Sequence, residues 1–161
     1  MTILATAHPA KAPRTKEAKR IAVIYAAILA VMAVAQLTSF TKFVLVLDSY
    51  WLPGGVESAA FLAGFLIISE VLASAFLLRF KLSMAFRIFT MGLGWLVPII
   101  WFALTLRVMV VPSALSNVGF LGGYVHLIPG WWAVCVSLAL AILAAWASWG
   151  LWPLRRSKKT K

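Results

Sequence analysis

One acidic residue, Glu70, interrupts an otherwise apolar stretch that runs from Ala59 to Leu78. An ionisable side chain inside a membrane-spanning helix is costly to insert, so it normally faces other helices and finds a polar partner there. Such a carboxyl can relay a proton or contact the headgroup of a quinone. It can also be a protonated side chain that joins two helices by a hydrogen bond. The residue types alone leave both interpretations open.

The partners expected for Glu70 follow from depth along the neighbouring apolar segments. Gln36 and Ser39 share a helical face, and Lys42 lies about 9 Å beyond Gln36 at a rise of 1.5 Å per residue. Glu70 lies about 18 Å from the start of its own segment. A hydrogen bond from Gln36, or from the indole N–H of Trp95, is therefore expected rather than a pair with Lys42. These five residues define the candidate intramembrane polar site.

A second polar group falls in the connections between apolar segments. Asp48 and Glu57 lie in the first connection. Arg107 precedes the longest connection, and His126 lies within it. With Lys42, they could form a small polar mouth above a helix bundle. Alternatively, they are solvated loop charges and long side chains that reach the membrane interface. Carboxylates and histidine can ligate metals, but this spacing matches no metal-site signature, so no metal is predicted.

The elements that position these residues are predicted from hydropathy. The chain is 63% hydrophobic and only 12% charged, with a mean hydropathy of +0.98, whereas a soluble domain carries about 25% charged residues. Four stretches reach the roughly 20 apolar residues that a bilayer crossing needs. The sequence therefore predicts an all-α, polytopic membrane protein, a bundle of four transmembrane helices over residues 21–41, 59–78, 88–106 and 130–151.

Positive charge predicts how this bundle is oriented. Of the 15 Lys and Arg residues, 13 fall in the leader 1–20, in the turn 79–87 or in the tail 153–161. Only Lys42 and Arg107 lie elsewhere. Lys and Arg mark the cytoplasmic segments of membrane proteins, so both termini are expected to be cytoplasmic, with the protein in the cell (inner) membrane. The leader reads as basic and disordered. The same distribution argues against nucleic acid as a partner and for the lipid bilayer.

Cys135 is the single cysteine, so no intrachain disulfide can form. It lies inside the fourth apolar stretch. We expect a small buried side chain there rather than a reactive thiol, because an apolar setting disfavours the thiolate.

Four short segments carry a resemblance to a known family. They are Ser39-Phe40-Thr41-Lys42-Phe43, Leu52-Pro53, Ser69-Glu70-Val71, and the stretch from Asn117 to Gly123. In order and layout, the chain resembles the DoxX/MauE-like family of small four-helix bacterial membrane proteins. The last stretch stands where that family has a Cys-x-Cys-Phe-Gly element, and neither cysteine is present here. Only Lys42 and Glu70 carry over.

The resemblance implies a membrane partner in redox processes, beside a quinone-linked or thiol-oxidising system. The predicted function is a redox-associated accessory subunit with no catalytic activity of its own. One alternative is a quinone-binding oxidoreductase subunit, with Glu70 as the proton-handling group and the Trp95/Trp101 region lining the site. A further alternative is a small transporter or ion-conducting oligomer. No cofactor is predicted apart from a possible quinone, and a homo-oligomer is compatible with the sequence.

Overall fold

The computed structural model describes residues 12–110 and 115–152, and these residues are organised as helices joined by short connections. Their bounds are α1 Lys16–Thr38, α2 Phe40–Asp48, α3 Gly55–Leu77, α4 Met84–Val110 and α5 Trp131–Gly150. Four of them, all except α2, are long and apolar enough to cross a membrane. The prediction of an all-α, multi-pass membrane protein with four spanning helices is confirmed.

α1 begins five residues earlier than the sequence predicts. The Thr15 side chain accepts a hydrogen bond from the Ala18 N–H at 3.0 Å, and Glu17 lies in the first turn. A capping hydroxyl and an early acid both stabilise a helix N-terminus, so the helix extends past its apolar part. Residues 16–20 of the predicted leader are thus helical. The rest of that prediction, for residues 1–11, and the tail 153–161 lie outside the described residues.

The first predicted span is divided at Ser39 into α1 and the short α2. The Ser39 hydroxyl donates to the Ala35 carbonyl at 2.7 Å and accepts the Gly123 N–H at 2.8 Å. Ser39 itself departs from helical geometry, with φ −112° and ψ 27°. Local hydroxyl-to-backbone bonds of this kind compete with a continuing helix. α2 then buries Phe43, Val44 and Leu47. The other spans begin and end within four residues of the predicted bounds.

The four long helices form a ring in which α1 packs on α3 and α5, and α4 packs on the same two neighbours. The Arg14 N–H donates to the Gly150 carbonyl at 3.0 Å, which joins the start of α1 to the end of α5. One end of the bundle therefore carries the starts of α1 and α4 and the ends of α3 and α5. We call this the basic end. The opposite end carries α2 and residues 115–130, and we call it the loop end.

Large apolar side chains cover the outside of the ring, as a lipid-facing surface requires. Val34 is 62% exposed and Phe61 is 77% exposed, whereas Leu29 and Leu66 are fully buried. Small residues on the inner faces bring the helices together, and they include Ala22, Ala63, Ala73 and Ala144. The expectation for Cys135 is wrong, because its side chain is exposed on α5. Apolarity is a poor guide to burial here, since lipid accepts apolar side chains as readily as the core does.

Candidate functional site

The candidate site is centred on Glu70, which α3 places inside the ring with no exposed surface. Gln36 on α1 donates from Nε2 to Glu70 Oε1 at 3.1 Å. The same amide nitrogen donates to the Phe120 carbonyl oxygen at 3.2 Å. A side-chain amide has two N–H donors, so both bonds can be made at once. The hydrogen bond that the sequence predicts between Glu70 and Gln36 is present, and it extends to a loop that the prediction did not include.

Four buried polar atoms near the centre of the bundle have no hydrogen-bond partner among the residues described. These are Glu70 Oε2, Gln36 Oε1, Ser69 Oγ and Trp101 Nε1. The Trp101 indole interacts with the Glu70 carboxyl, but its N–H falls outside hydrogen-bond geometry. Buried polar groups in native proteins are nearly always satisfied, by protein atoms or by ordered water. The cluster around Glu70 therefore has hydrogen-bonding capacity that the protein alone does not use.

Aromatic rings from three parts of the chain pack around Trp101 and isolate this cluster from lipid. The ring centroids of Trp101 and Phe120 are 4.7 Å apart, and those of Phe43 and Trp101 are 6.3 Å apart. Phe120 also contacts Trp132 at 6.1 Å. Tilted pairs at these separations are favourable arrangements for aromatic side chains. The carboxyl thus lies near packed aromatic side chains, with a few polar atoms around it.

Residues 115–130 form a loop that covers the cluster around Glu70 at the loop end. Asn117 organises this loop, because its Oδ1 accepts the N–H groups of Gly119 and Leu127 and its Nδ2 donates to the Gly122 carbonyl. Gly122 has φ +69°, and a Cβ there would collide with the Ser39 hydroxyl and the Ala35 carbonyl. The loop therefore reaches the α1–α2 break only because a glycine stands at this position.

Tyr50, just after α2, fixes the same loop from the other side. Its hydroxyl donates to the Val118 carbonyl at 2.8 Å. Burial raises the pKa of the Tyr50 hydroxyl, so the group keeps its proton and remains a donor across the physiological pH range. Ser39, Asn117 and Tyr50 together hold the loop that carries the Phe120 carbonyl to Gln36.

Toward the basic end, hydroxyl groups continue from Glu70 along the bundle axis. Ser74, one turn below Glu70, donates to the Glu70 backbone carbonyl at 2.8 Å. The Tyr25 hydroxyl donates to the Gly94 carbonyl at 2.6 Å and lies within electrostatic range of Glu70. Thr90, one turn before Gly94 and nearer the start of α4, is fully buried. The interior is therefore polar along one line rather than at one residue.

Lys42 and Trp95 do not belong to the site as the structure forms it. Lys42 is exposed, and its Nζ lies 4.5 Å from the centroid of the Tyr124 ring at the loop end. The Trp95 indole donates to Ser148 Oγ on α5 at 3.0 Å. Trp101 stands beside Glu70 in its place. The two tryptophans are six residues apart, about 240° around the helix, and depth alone did not distinguish their faces.

The polar residues predicted for a mouth are at the loop end, where they serve separate roles. Arg107 donates to the Trp51 carbonyl at 3.0 Å. Asp48 lines a groove of about 490 Å³ with Trp51 and Leu52. Glu57 and His126 are exposed. Within residues 12–110 and 115–152, no three His, Cys, Asp or Glu side chains group as metal ligands.

The sequence analysis named Trp101 only in the quinone-binding alternative, and it missed Phe120 and Asn117 as parts of the site. The glycine-rich composition around Asn117 is the one signal that could have indicated a structured loop. Comparison of the chain with known protein families, with curated proteins and with solved structures found no significant match. The function is therefore inferred from the residues of this chain.

Proposed function

We propose that the protein is an accessory subunit of a membrane redox system in which Glu70 takes up and releases a proton. One observation carries this proposal: Glu70 is completely buried, with Oε1 bound by Gln36 and Oε2 without a hydrogen bond in the described part of the chain. Because an unmade hydrogen bond in a membrane interior is costly, Oε2 needs a further partner such as water, and this oxygen is therefore the one that can exchange a proton.

The hydrogen-bond donors around Glu70 suit both of its protonation states. Gln36 Nε2 can only donate, so Oε1 accepts whether the carboxyl is ionised or neutral. The proton then resides on Oε2, which becomes a donor in the neutral form. Trp101 supplies an indole N–H beside the carboxyl, which is the kind of donor that the ionised form needs. Water bound at the unpartnered atoms would supply the remaining hydrogen bonds.

The redox part of the proposal rests on the resemblance of the Ser39–Phe43 and Ser69–Val71 segments to DoxX/MauE-like proteins. In the structure, Ser39 and Glu70 are both joined to the loop of residues 115–130, the first directly and the second through Gln36. This supports treating these segments as one unit. The partner expected is a quinone-linked or thiol-oxidising membrane protein.

A second candidate is direct binding of a quinone headgroup at the same site. The packing of Phe43 and Phe120 against Trp101 favours it, because aromatic walls suit a flat ring. The polar groups suit such a ligand in type: the Trp101 N–H could donate to a carbonyl oxygen, and Glu70 could accept from a hydroxyl. A quinone would supply the electron-accepting group, while the chain would position it and exchange the proton.

We further propose that the basic end faces the cytoplasm and that the protein resides in the cell (inner) membrane. The support is that 13 of the 15 basic residues fall in the sequence segments 1–20, 79–87 and 153–161, and that the described parts of the first two segments lie at this end. Lys and Arg near the ends of spans set membrane orientation.

Infrared difference spectroscopy on the protein in liposomes tests the proton-handling role. A step in pH should change the carboxylic acid C=O band, and Glu70→Gln should remove that change. Glu57→Gln is the matched control, because Glu57 is an exposed acid at the start of the same helix. This variant should show the same pH-dependent change of the band as the wild type. A band that stays constant across the pH steps in the wild type would overturn the proposal.

The redox role needs a separate measurement. Membranes from a strain that lacks the protein should show reduced quinone reduction, restored by the wild type and by Glu57→Gln but not by Glu70→Gln. If Glu70→Gln restores the rate fully, proton handling at Glu70 has no part in that activity. A pull-down from native membranes that recovers no redox component would contradict the accessory role.

A further inference from the structure

A groove of about 360 Å³ opens at the basic end, between the start of α1 and the end of α3. From α1 it is lined by Lys19, Ala22 and Val23. From the end of α3 and the turn that follows it is lined by Leu77, Leu78, Arg79 and Lys81. Ala22 and Leu77 are buried and form its floor, while Val23 and Leu78 are each 46% exposed. The groove therefore combines cationic groups with an apolar wall.

The depth of these residues places the cations at the level of lipid headgroups. Lys19 is the fourth residue of α1, and Arg79 follows directly after the C-cap of α3. At 1.5 Å per residue, both lie within about one helical turn of a helix end. Val23 and Leu78 are on the lipid-facing surface. A phospholipid has a matching arrangement of groups, with a charged phosphate above an apolar chain.

The described residues of the basic end carry far more positive than negative charge. The whole sequence contains four acidic residues, and three of them, Asp48, Glu57 and Glu70, belong to the loop end or the bundle interior. Within residues 12–110 and 115–152, the basic end holds one acid, Glu17, and seven basic residues: Arg14, Lys16, Lys19, Arg20, Arg79, Lys81 and Arg87. Arg87 also lies within electrostatic range of Arg79. Like charges gathered at a membrane surface attract anionic lipids.

The backbone at Arg79 is a second, independent observation. Arg79 has φ +64°, in the left-handed region. The Phe80 N–H donates to the Ala75 carbonyl, and the Arg79 N–H donates to the Phe76 carbonyl. This is the Schellman ending of a helix, in which the left-handed position is usually glycine. Strain held at a non-glycine residue often marks a functional side chain, and here that side chain lines the groove.

We propose that this groove binds one anionic phospholipid, with its phosphate among Lys19, Arg79 and Lys81 and an acyl chain along Val23 and Leu78. The site is independent of the role proposed for Glu70. It would hold α1 and α3 together at the membrane surface and give the bundle a preference for anionic membranes.

Native mass spectrometry of the purified full chain tests the site, with phosphatidylglycerol and phosphatidylcholine of the same acyl chains as probes. The wild type should retain one phosphatidylglycerol in preference to phosphatidylcholine. Lys81→Gln and Arg79→Gly should each weaken retention about fivefold, since a basic residue in contact with the bound anionic headgroup contributes a factor of about that size. Arg79→Gly keeps the end of α3, because glycine adopts the left-handed conformation without strain.

The matched control is Lys16→Gln, which removes the same charge from the same end of the bundle but does not line the groove. It should change retention by no more than about twofold. Equal weakening by Lys16→Gln and Lys81→Gln would overturn the proposal in favour of diffuse surface charge. Displacement of the lipid by inorganic phosphate at equal concentration would overturn it in favour of a simple anion site.

Discussion

Gln36 has a central position among the interior residues because its single amide group binds two partners on different parts of the chain. One partner is Glu70 on α3, and the other is the main-chain carbonyl of Phe120 in the loop. The side chain has no exposed surface, so neither bond competes with bulk water. Each acceptor would be left buried without its donor if the amide were removed, which costs more than the net value of the bond itself.

We therefore expect Gln36→Leu to lower the free energy of unfolding by about 2 kcal/mol, because two buried acceptors lose their donor. The measurement is reversible unfolding in mixed detergent and SDS micelles. Thr38→Val is the control, since the Thr38 hydroxyl is exposed and bonds only carbonyls of its own helix. It should stay within about 0.5 kcal/mol of the wild type. Equal stability of Gln36→Leu and the wild type would refute the role assigned to this amide.

At the scale of elements, the loop of residues 115–130 and the α1–α2 break form one interlocked unit. Gly122 and Gly123 pass so close to Ser39 and Lys42 that side chains there would collide with them. Asn117 and Tyr50 fix the loop by hydrogen bonds from both sides. The loop is therefore a structured part of the bundle, and Phe120 reaches the interior because of it.

Gly122→Ala should lower the free energy of unfolding by about 2–3 kcal/mol, since the left-handed backbone and the collision both act against it. Thermal unfolding in detergent measures this. Gly92→Ala on α4 is the matched control, because a Cβ there meets nothing within 4 Å. It should leave stability unchanged or raise it by up to about 1 kcal/mol through helix propensity. If both variants behave alike, the tight approach at Gly122 does not exist in the folded protein.

How far the sequence predicts these elements depends on which force sets them. Hydropathy predicts the four spans to within a few residues at most ends, because lipid imposes the length of an apolar helix. The Glu70–Gln36 contact follows from depth and helical face. The break at Ser39 does not follow, because a glycine loop more than 80 residues later in the sequence causes it. Depth along α4 did not distinguish Trp95 from Trp101 as the neighbour of Glu70, because the rotation of α4 is set by its packing against α5.

At the scale of the whole molecule, the charge distribution and the fold agree. The antiparallel ring brings the leader end, the α3–α4 turn and the end of α5 to one side. The described basic residues before and within the first turn of α1 and in the α3–α4 turn therefore lie at one end of the bundle. The sequence alone predicts this grouping of charge only if all four apolar segments cross the membrane. The structure has four helices of sufficient length and apolarity.

Cysteine labelling of intact cells checks the orientation. In a Cys135→Ala background, Glu57→Cys should react with an impermeant maleimide from outside, while Glu17→Cys should react only after permeabilisation. Cys135 is replaced because its own side chain is exposed on α5. Both test positions are exposed acids in the first turn of a spanning helix, so they differ mainly in the side of the membrane. The reverse labelling pattern would invert the orientation proposed here.

The shared amide of Gln36 also creates a thermodynamic linkage across the molecule. If residues 115–130 move away from the bundle, the Phe120 carbonyl leaves Gln36 and the amide is free to reorient at Glu70. A partner protein that binds the displaced loop more tightly than the docked loop then alters the proton affinity of the buried acid. Linkage is reciprocal, so the charge on that acid must alter the affinity for such a partner by the same factor.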